Sequence, residues 1–437
     1  MEWPLVLLLI LGSFVVLMAS GLPVAFCFML VNLVGVFVLM GGGAGLRQLT
    51  LSIYDSVTIF TLLPLPLFIL MGEVMFHSGI APLMMDALDK WLGRLPGRLG
   101  LLAVGGGTLM ATLSGVSMAS IAVLGSTLVP EMEKRGYKKP MSLGPILGSG
   151  GLALMIPPSG LAVLLGAIGE ISVGKILIAI IIPGLLMAVF YATYVIVRCW
   201  LQPSIAPAYE VSHASLLEKL VTTVRYILPL GFIIFLVVGV IFVGVATPTE
   251  AAATGALGTF ILAFFYRRLN WEVVKKSMLG TLHVTGMTFL IITGAQAFSQ
   301  VLAFSGATRG LVEFAVNLAI VPIVTIIAMQ VIVVLLGMFM NAIAIMLITL
   351  PIFVPIVVAL GFNPVWFAVL ILLNIEVGTT SPPFGLNLFV MKGVAPPDTT
   401  MGDIYLAALP FIYCDLIVMA LIMAFPIIVL WLPALMF

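Results

Sequence analysis

Apolar residues run along this chain in blocks of about twenty, the length of a helix that crosses a bilayer. Such blocks are read at about 4–20, 22–40, 56–76, 143–170, 176–198, 226–246, 251–266, 284–303, 365–391 and 404–432. Two more stretches, about 99–130 and 320–355, are too long for one span, and each has a polar or glycine-bearing middle. Three amphipathic pieces, near Leu46–Ser56, Ser215–Val224 and Trp271–His283, are expected to lie in the headgroup plane. The pattern predicts an all-α polytopic membrane protein.

Basic residues orient these blocks, because short cytoplasmic loops are enriched in Lys and Arg. Arg94 and Arg98 precede the 99–130 stretch, and Lys134, Arg135, Lys138 and Lys139 follow it. Both ends are therefore read as cytoplasmic, so the stretch enters and returns as a re-entrant hairpin with its tip at Leu113–Ser117. No Lys or Arg lies between Arg309 and Lys392, so 320–355 is read as a hairpin from the other side, tip Gly337–Asn341. Arg198, Lys219, Arg225, Arg267, Arg268, Lys275, Lys276 and Lys392 fall inside on this path and Glu250 outside; Arg47 is an exception. Each half then crosses an odd number of times, which makes the second inverted relative to the first. The predicted units are a first repeat at 1–198, a connector at 199–225 and a second repeat at 226–437.

A Pro-Pro pair interrupts an apolar segment in each half. Pro157-Pro158-Ser159-Gly160 and Pro382-Pro383-Phe384-Gly385 start at positions 157 and 382, hence 225 apart. Proline has no amide hydrogen and clashes with the preceding turn, so each pair is expected to break its helix, at about 143–170 and 365–391. A helix interrupted in mid-membrane presents carbonyls at one end and amides at the other, which suits a cation and an anion. Ser114 and Ser117 are expected to face a break running from Gly148 to Ser159, and Gly337 and Asn341 one running from Gly378 to Pro382. Neutral hydroxyl and carbonyl oxygens suit a hard monovalent ion such as sodium, whereas a divalent site usually shows carboxylates. Glu376, five residues before Ser381, is the strongest intramembrane candidate for coupling. Glu73 and Asp415 read as interfacial or internally hydrogen-bonded. Thr247-Pro248-Thr249-Glu250 has the spacing of a capping box and is expected to start a helix.

Composition agrees with this reading. The 437 residues are 62% hydrophobic and 8% charged, more apolar surface than a soluble chain of this size can bury. A net charge of +1 gives no footprint for nucleic acid. Cys27, Cys199 and Cys414 lie far apart as small hydrophobes, and His77, His213 and His283 form no pair. No cofactor, metal site beyond sodium or catalytic group is expected. The first apolar run lacks a basic leader and reads as an anchor.

Several motifs, in this order, resemble the large membrane subunit of tripartite ATP-independent periplasmic (TRAP) transporters. They are Pro66–Gly72, Ser114-Gly115, Ile156–Ser159, Thr247–Ala252 and Ser381–Phe389. The resemblance implies an elevator motion driven by a sodium gradient in a bacterial inner membrane. It also implies a small four-span membrane partner and a periplasmic binding protein that delivers an organic acid. Sodium ions would be held at Ser114, Gly115, Ser117, Gly151 and Pro157 in one half, and at Gly337, Gly378, Thr380 and Pro382 in the other. Substrate would meet Ser159, Asn341 and Ser381. The chain departs from the family where Asn341 replaces a frequent aspartate, where Ala119-Ser120 lacks an acidic neighbour, and where Ser381 replaces threonine.

The sequence is therefore read as a subunit importing a small organic anion, such as a carboxylate, with sodium. Its core would be the two hairpins and two broken helices, sliding against a frame of the other spans. One rival is a stand-alone sodium/anion symporter of related elevator fold. A second, a subunit of an ion-pumping enzyme, would need paired histidines, cysteine clusters or lysine–glutamate relays in the spans, and the sequence shows none.

Overall fold

A computed structural model describes residues 2–93, 95–114, 117–207 and 215–436, with the backbone alone for 111–114. Gly115, the Ser114 side chain and Arg94 thus lie outside the described residues. Every regular element described is helical. Local chemistry sets where helices begin. Proline occupies the first turn of Trp3–Ala19, Pro64–His77, Lys139–Met155, Pro248–Phe265, Pro322–Gly337 and Pro364–Thr380, where a missing amide costs nothing. Thr247 and Glu250 form the expected capping box, and Thr400 with Asp403 forms another. Among the described residues, six helices are long and apolar enough to cross a membrane, seven if the bent pair Lys139–Met155 and Gly160–Ile168 counts as one span.

Elements follow a similar order in the two parts of the chain. The first runs through Trp3–Ala19, Val24–Leu39, Gly43–Thr58, Pro64–His77 and Ile80–Leu92 to a helical hairpin, Arg98–Ser114 with Ser117–Lys134. A broken helix follows, Lys139–Met155 with Gly160–Ile168, and then Val173–Ala179 with Ile181–Leu201. The connector piece Leu216–Thr222 is not a separate surface helix but continues through Thr223–Ile227 into Leu228–Phe242, and the second half goes on with Pro248–Phe265, Trp271–Phe304 and Ala307–Asn317. Its hairpin is Pro322–Gly337 with Ala342–Ala359, its broken helix Pro364–Thr380 with Leu386–Val394, and its last pair Met401–Ala424 with Ile427–Ala434. Gly136 and Gly361, at equivalent turns, both take the left-handed conformation that glycine adopts without a Cβ clash.

Four more expectations change. Trp271–His283 is not a separate surface helix: it continues to Phe304 as one helix of 34 residues. No proline interrupts 271–304, whereas Pro64 and Pro66 divide Gly43–Thr58 from Pro64–His77 in the other half. The block at 404–432 is likewise two helices, parted beside Pro426. The first break is narrower than Gly148–Ser159. Gly148, Ser149, Gly150 and Gly151 stay helical to Met155, because the glycines admit close neighbours: Phe411 at Gly148, Ile121 at Gly150, Glu376 at Gly151. Finally, two amphipathic helices, Ile80–Leu92 and Ala307–Asn317, follow left-handed Gly79 and Gly306 ahead of each hairpin.

Those two helices brace the halves reciprocally. Trp91 Nε1 donates to Thr223 Oγ1 at 2.7 Å and Lys90 pairs with Glu218 at 2.7 Å, tying Ile80–Leu92 to the connector. Ala307–Asn317 instead receives the chain's start, with Trp3 stacked on Gly310 and its ring 6.2 Å from Phe314. Burial separates an interior from a frame. Positions 141–155 and 365–380 are buried throughout, whereas Trp3–Ala19 buries only Val6, Ile10 and Phe14. The broken helices are the centre of the molecule.

Candidate functional site

Each break follows from its prolines and is then closed by a cap. Lys139–Met155 ends where Ile156 turns extended, the chain passes Pro157-Pro158, and Gly160–Ile168 leaves at 46°. Ser159 caps that second piece, its Oγ accepting from Ala162 N at 3.3 Å. In the other half Pro364–Thr380 ends at extended Ser381, and Leu386–Val394 resumes beyond Pro382-Pro383. Both Pro-Pro bonds are cis.

The second hairpin's tip packs just ahead of the second break, and the first hairpin's return helix reaches the same region. Gly337, the last residue of its helix, lies against Gly378: a Cβ at Gly337 would sit 2.6 Å from Gly378 Cα. Only hydrogen fits between them, so the second hairpin's backbone touches the helix just ahead of the second break. Ser117 begins the return helix of the first hairpin, and its Oγ donates to Glu376 Oε2 at 3.0 Å, across halves. Asn341 caps the second return helix, its Oδ1 accepting from Ala344 N at 2.9 Å, and Ser381 Oγ donates to Val377 O at 2.6 Å.

Glu376 joins these pieces. It is 1% exposed. Beside Ser117, it accepts from Thr380 Oγ1 at 2.9 Å and from Asn387 Nδ2 at 3.2 Å, the latter beyond the break. Asn387 Nδ2 also reaches Thr379 Oγ1 at 3.3 Å and Thr380 Oγ1 at 3.1 Å. Gly151 presses on the same carboxylate, since a Cβ there would fall less than 3 Å from Glu376 Cγ, Cδ and Oε1. Positions 151 and 376 are again 225 apart, so equivalent points of the two broken helices meet here.

The structure therefore gathers Ser117, Gly151, Thr380 and Glu376 at one point, with Gly337 and Gly378 packed together a turn away. Pro157 and Pro382 form the breaks. Ser159, Asn341 and Ser381 stand at helix ends with their polar atoms engaged locally. Sequence reasoning assigned no role to Asn387, though it lies in the quoted Ser381–Phe389 motif. It also gave none to the buried amide pair Gln330 and Asn374, where Asn374 Nδ2 donates to Gln330 Oε1 at 2.8 Å. Gln330 Nε2 and Asn374 Oδ1 lack partners among the described residues. An amide in an otherwise apolar span was the available signal. Phe339 and Phe384, at the tip and the break, approach to 5.5 Å between ring centroids and are both largely exposed. Asp415, which reads as interfacial or internally hydrogen-bonded, is buried and accepts from the Tyr191 hydroxyl. Among the described residues no group of three or more His, Cys, Asp or Glu is arranged to hold a metal ion.

Two cavities open where the interior meets the surrounding helices. One of about 760 Å³ lies between the far end of the first broken helix, at Glu170 and Ile171, and Ile59, Ile241 and Gln296. The other, about 400 Å³, lies between Ile80–Leu92 and the first hairpin, beside Asp89, Arg98 and Glu131.

Comparison with known proteins supplies a family. The family model described as "Tripartite ATP-independent periplasmic transporter, DctM component" matches residues 11–428. The C4-dicarboxylate TRAP transporter large permease protein DctM of Rhodobacter capsulatus is 31% identical over 98% of this chain and 99% of its own length. The ectoine TRAP transporter large permease protein TeaC of Halomonas elongata is 28% identical over 98% of this chain and 99% of its own. Among solved structures, the YdaH transporter of Alcanivorax borkumensis superposes with a TM-score of 0.67, covering 91% of this chain and 96% of that one. At 16% identity that likeness concerns the fold alone.

Proposed function

This chain belongs to the DctM-component family of TRAP transporters, a large multi-pass permease subunit, and from that premise we propose that it imports a small organic anion driven by sodium. The observation that carries the proposal is the meeting of the two broken helices inside the molecule, just ahead of their breaks, where hydroxyls, an amide and one carboxylate gather with no basic side chain among the described residues. Such oxygens replace the hydration shell of a monovalent cation. Ser117, Gly151 and Pro157, with the tip at Ser114 and Gly115, would hold one sodium ion, and Gly337, Gly378, Thr380 and Pro382 another. The anion would be a carboxylate: the relatives' names give dicarboxylate and ectoine, both carrying that group. It would dock near Ser159, Asn341, Ser381 and the Phe339–Phe384 pair.

The two halves are inverted repeats on this reading, so their broken helices meet near mid-membrane from opposite sides. The hairpins and the broken helices, whose first pieces are buried over 141–155 and 365–380, move as a rigid core. The reciprocal braces at Trp91–Thr223 and Trp3–Gly310 hold the frame, and the cavities at the core's margins are the space into which it slides. The family's tripartite name supports a small membrane partner, a periplasmic binding protein and a bacterial inner membrane as the assembly's location. It favours this reading over a stand-alone symporter. The test is uptake into proteoliposomes holding this chain and its small partner. Uptake is expected only with an inward sodium gradient and loaded binding protein. Uptake of free substrate by this chain alone would establish the stand-alone symporter instead.

A further inference from the structure

The Glu376 carboxylate is buried against neutral donors only: Ser117 Oγ, Thr380 Oγ1 and Asn387 Nδ2. Among the described residues no Lys, Arg or His nitrogen lies within 4.0 Å of it. Hydrogen bonds offset part of the cost of burying a charge but leave the charge itself uncompensated. A mobile cation brought alongside removes that cost. The surrounding atoms fit a hard monovalent ion, because hydroxyl oxygens of Ser117 and Thr380 meet a single carboxylate, not several, with Thr379 Oγ1 linked to them through Asn387.

The two carboxylate oxygens accept hydrogen bonds from different halves. Oε2 meets Ser117, at the first hairpin, and Oε1 meets Thr380 and Asn387, on the two sides of the second break. Gly151, the equivalent residue of the first broken helix, provides the space: any side chain there would displace the carboxylate. Thus residues assigned to one sodium position, Ser117 and Gly151, and a residue assigned to the other, Thr380, all touch one acidic group. We propose that Glu376 is a shared counter-charge, one fixed negative charge in the second half against which the sodium ions of both halves bind, so that neither position fills independently of the other. This rests on the sodium-coupled reading above.

The test is sodium-dependent thermal stabilisation of the purified full-length chain without substrate or binding protein, titrated against potassium at constant ionic strength. Wild type is expected to be stabilised by sodium specifically. Glu376→Gln keeps shape and hydrogen-bond acceptor but removes the charge, and is expected to raise the half-saturating sodium concentration about tenfold, within the usual range of site-coupling energies. Ser117→Ala and Thr380→Val, one on each side, are expected to be non-additive in the wild-type background and additive in the E376Q background. Half-saturation at the wild-type concentration in Glu376→Gln, or additivity of the two variants in the wild-type background, would overturn the shared counter-charge while leaving sodium coupling intact. If sodium stabilises wild type no better than potassium, the sodium reading itself falls and takes this proposal with it. Should Glu376→Gln not fold, Glu376→Asp carries the test. It keeps the charge but shortens the reach, so non-additivity is expected to vanish with a smaller shift in half-saturation; unchanged values for both would overturn the proposal.

Discussion

The two broken helices share a backbone plan but divide the chemistry between them. At the point where they meet, the first contributes Gly151 and the second Glu376, at equivalent positions. The division recurs at the neighbouring positions 149 and 374. Gly107 of the first hairpin packs on Ser149, whereas Gln330 of the second hydrogen-bonds Asn374. One half supplies space and the other supplies charge and amides. Two broken helices of similar plan can thus meet around a buried acidic group without placing two acids in contact, which burial would make costly.

The largest effect is expected from abolishing the asymmetry. Gly151→Glu would set a second carboxylate onto Glu376 with no room for even its Cβ, and an uncompensated buried charge costs about 3–5 kcal/mol. Fluorescence-detected size exclusion should show loss of the monodisperse peak. Next comes the tip contact: Gly378→Val inserts a side chain between backbones, at about 1–3 kcal/mol, and should lower the melting temperature. Thr380→Val removes a donor to Glu376, worth about 1.5–3 kcal/mol where the acceptor is charged, though relaxation of Asn387 onto the freed oxygen should keep the loss at the lower end. Its equivalent in the first half is Met155, and Met155→Leu should be almost silent in the same melt, sharpening the contrast.

The smallest effect lies at the turns linking the halves. Lys139, just after the first hairpin, pairs with Glu133 at 2.8 Å and with Asp398 at 2.9 Å. Its hydrogen bond holds the Asp398 carboxyl below the ordinary value of 3.8. A lowered folded-state value means that this contribution is present above that ordinary value and is lost as the pH falls through the folded one. The group is fully exposed, so Asp398→Asn should shift the melt at pH 7 very little, and the difference from wild type should vanish in acid.

What could be read from the sequence depended on whether a residue has one structural meaning or two. Pro-Pro pairs have one, and both breaks lie where the prolines are. The Thr247–Glu250 box also has one, and it caps its helix as expected. Glycine has two: it bends a chain or lets a neighbour close. Gly148–Gly151 reads in the sequence as part of a break, yet these glycines serve contact within a continuous helix. The absence of a break was equally hard to see, since an amphipathic piece and a span fuse across 271–304 where nothing forbids it. Glu376 was visible as an acid in an apolar run. Its partner Asn387 was not, because a donor eleven residues away across a broken helix is recognisable only after the chain has turned.

The most direct test of the central claim, that two oppositely oriented halves meet at Gly151 and Glu376, is sidedness. Lys134→Cys and Ala359→Cys are exposed equivalents, 225 positions apart, at the ends of the two hairpins, and the native cysteines are buried. Labelled in intact cells with a membrane-impermeant maleimide, Ala359→Cys is expected to react from outside and Lys134→Cys only after the membrane is opened. Reaction of both from the same side would contradict the account.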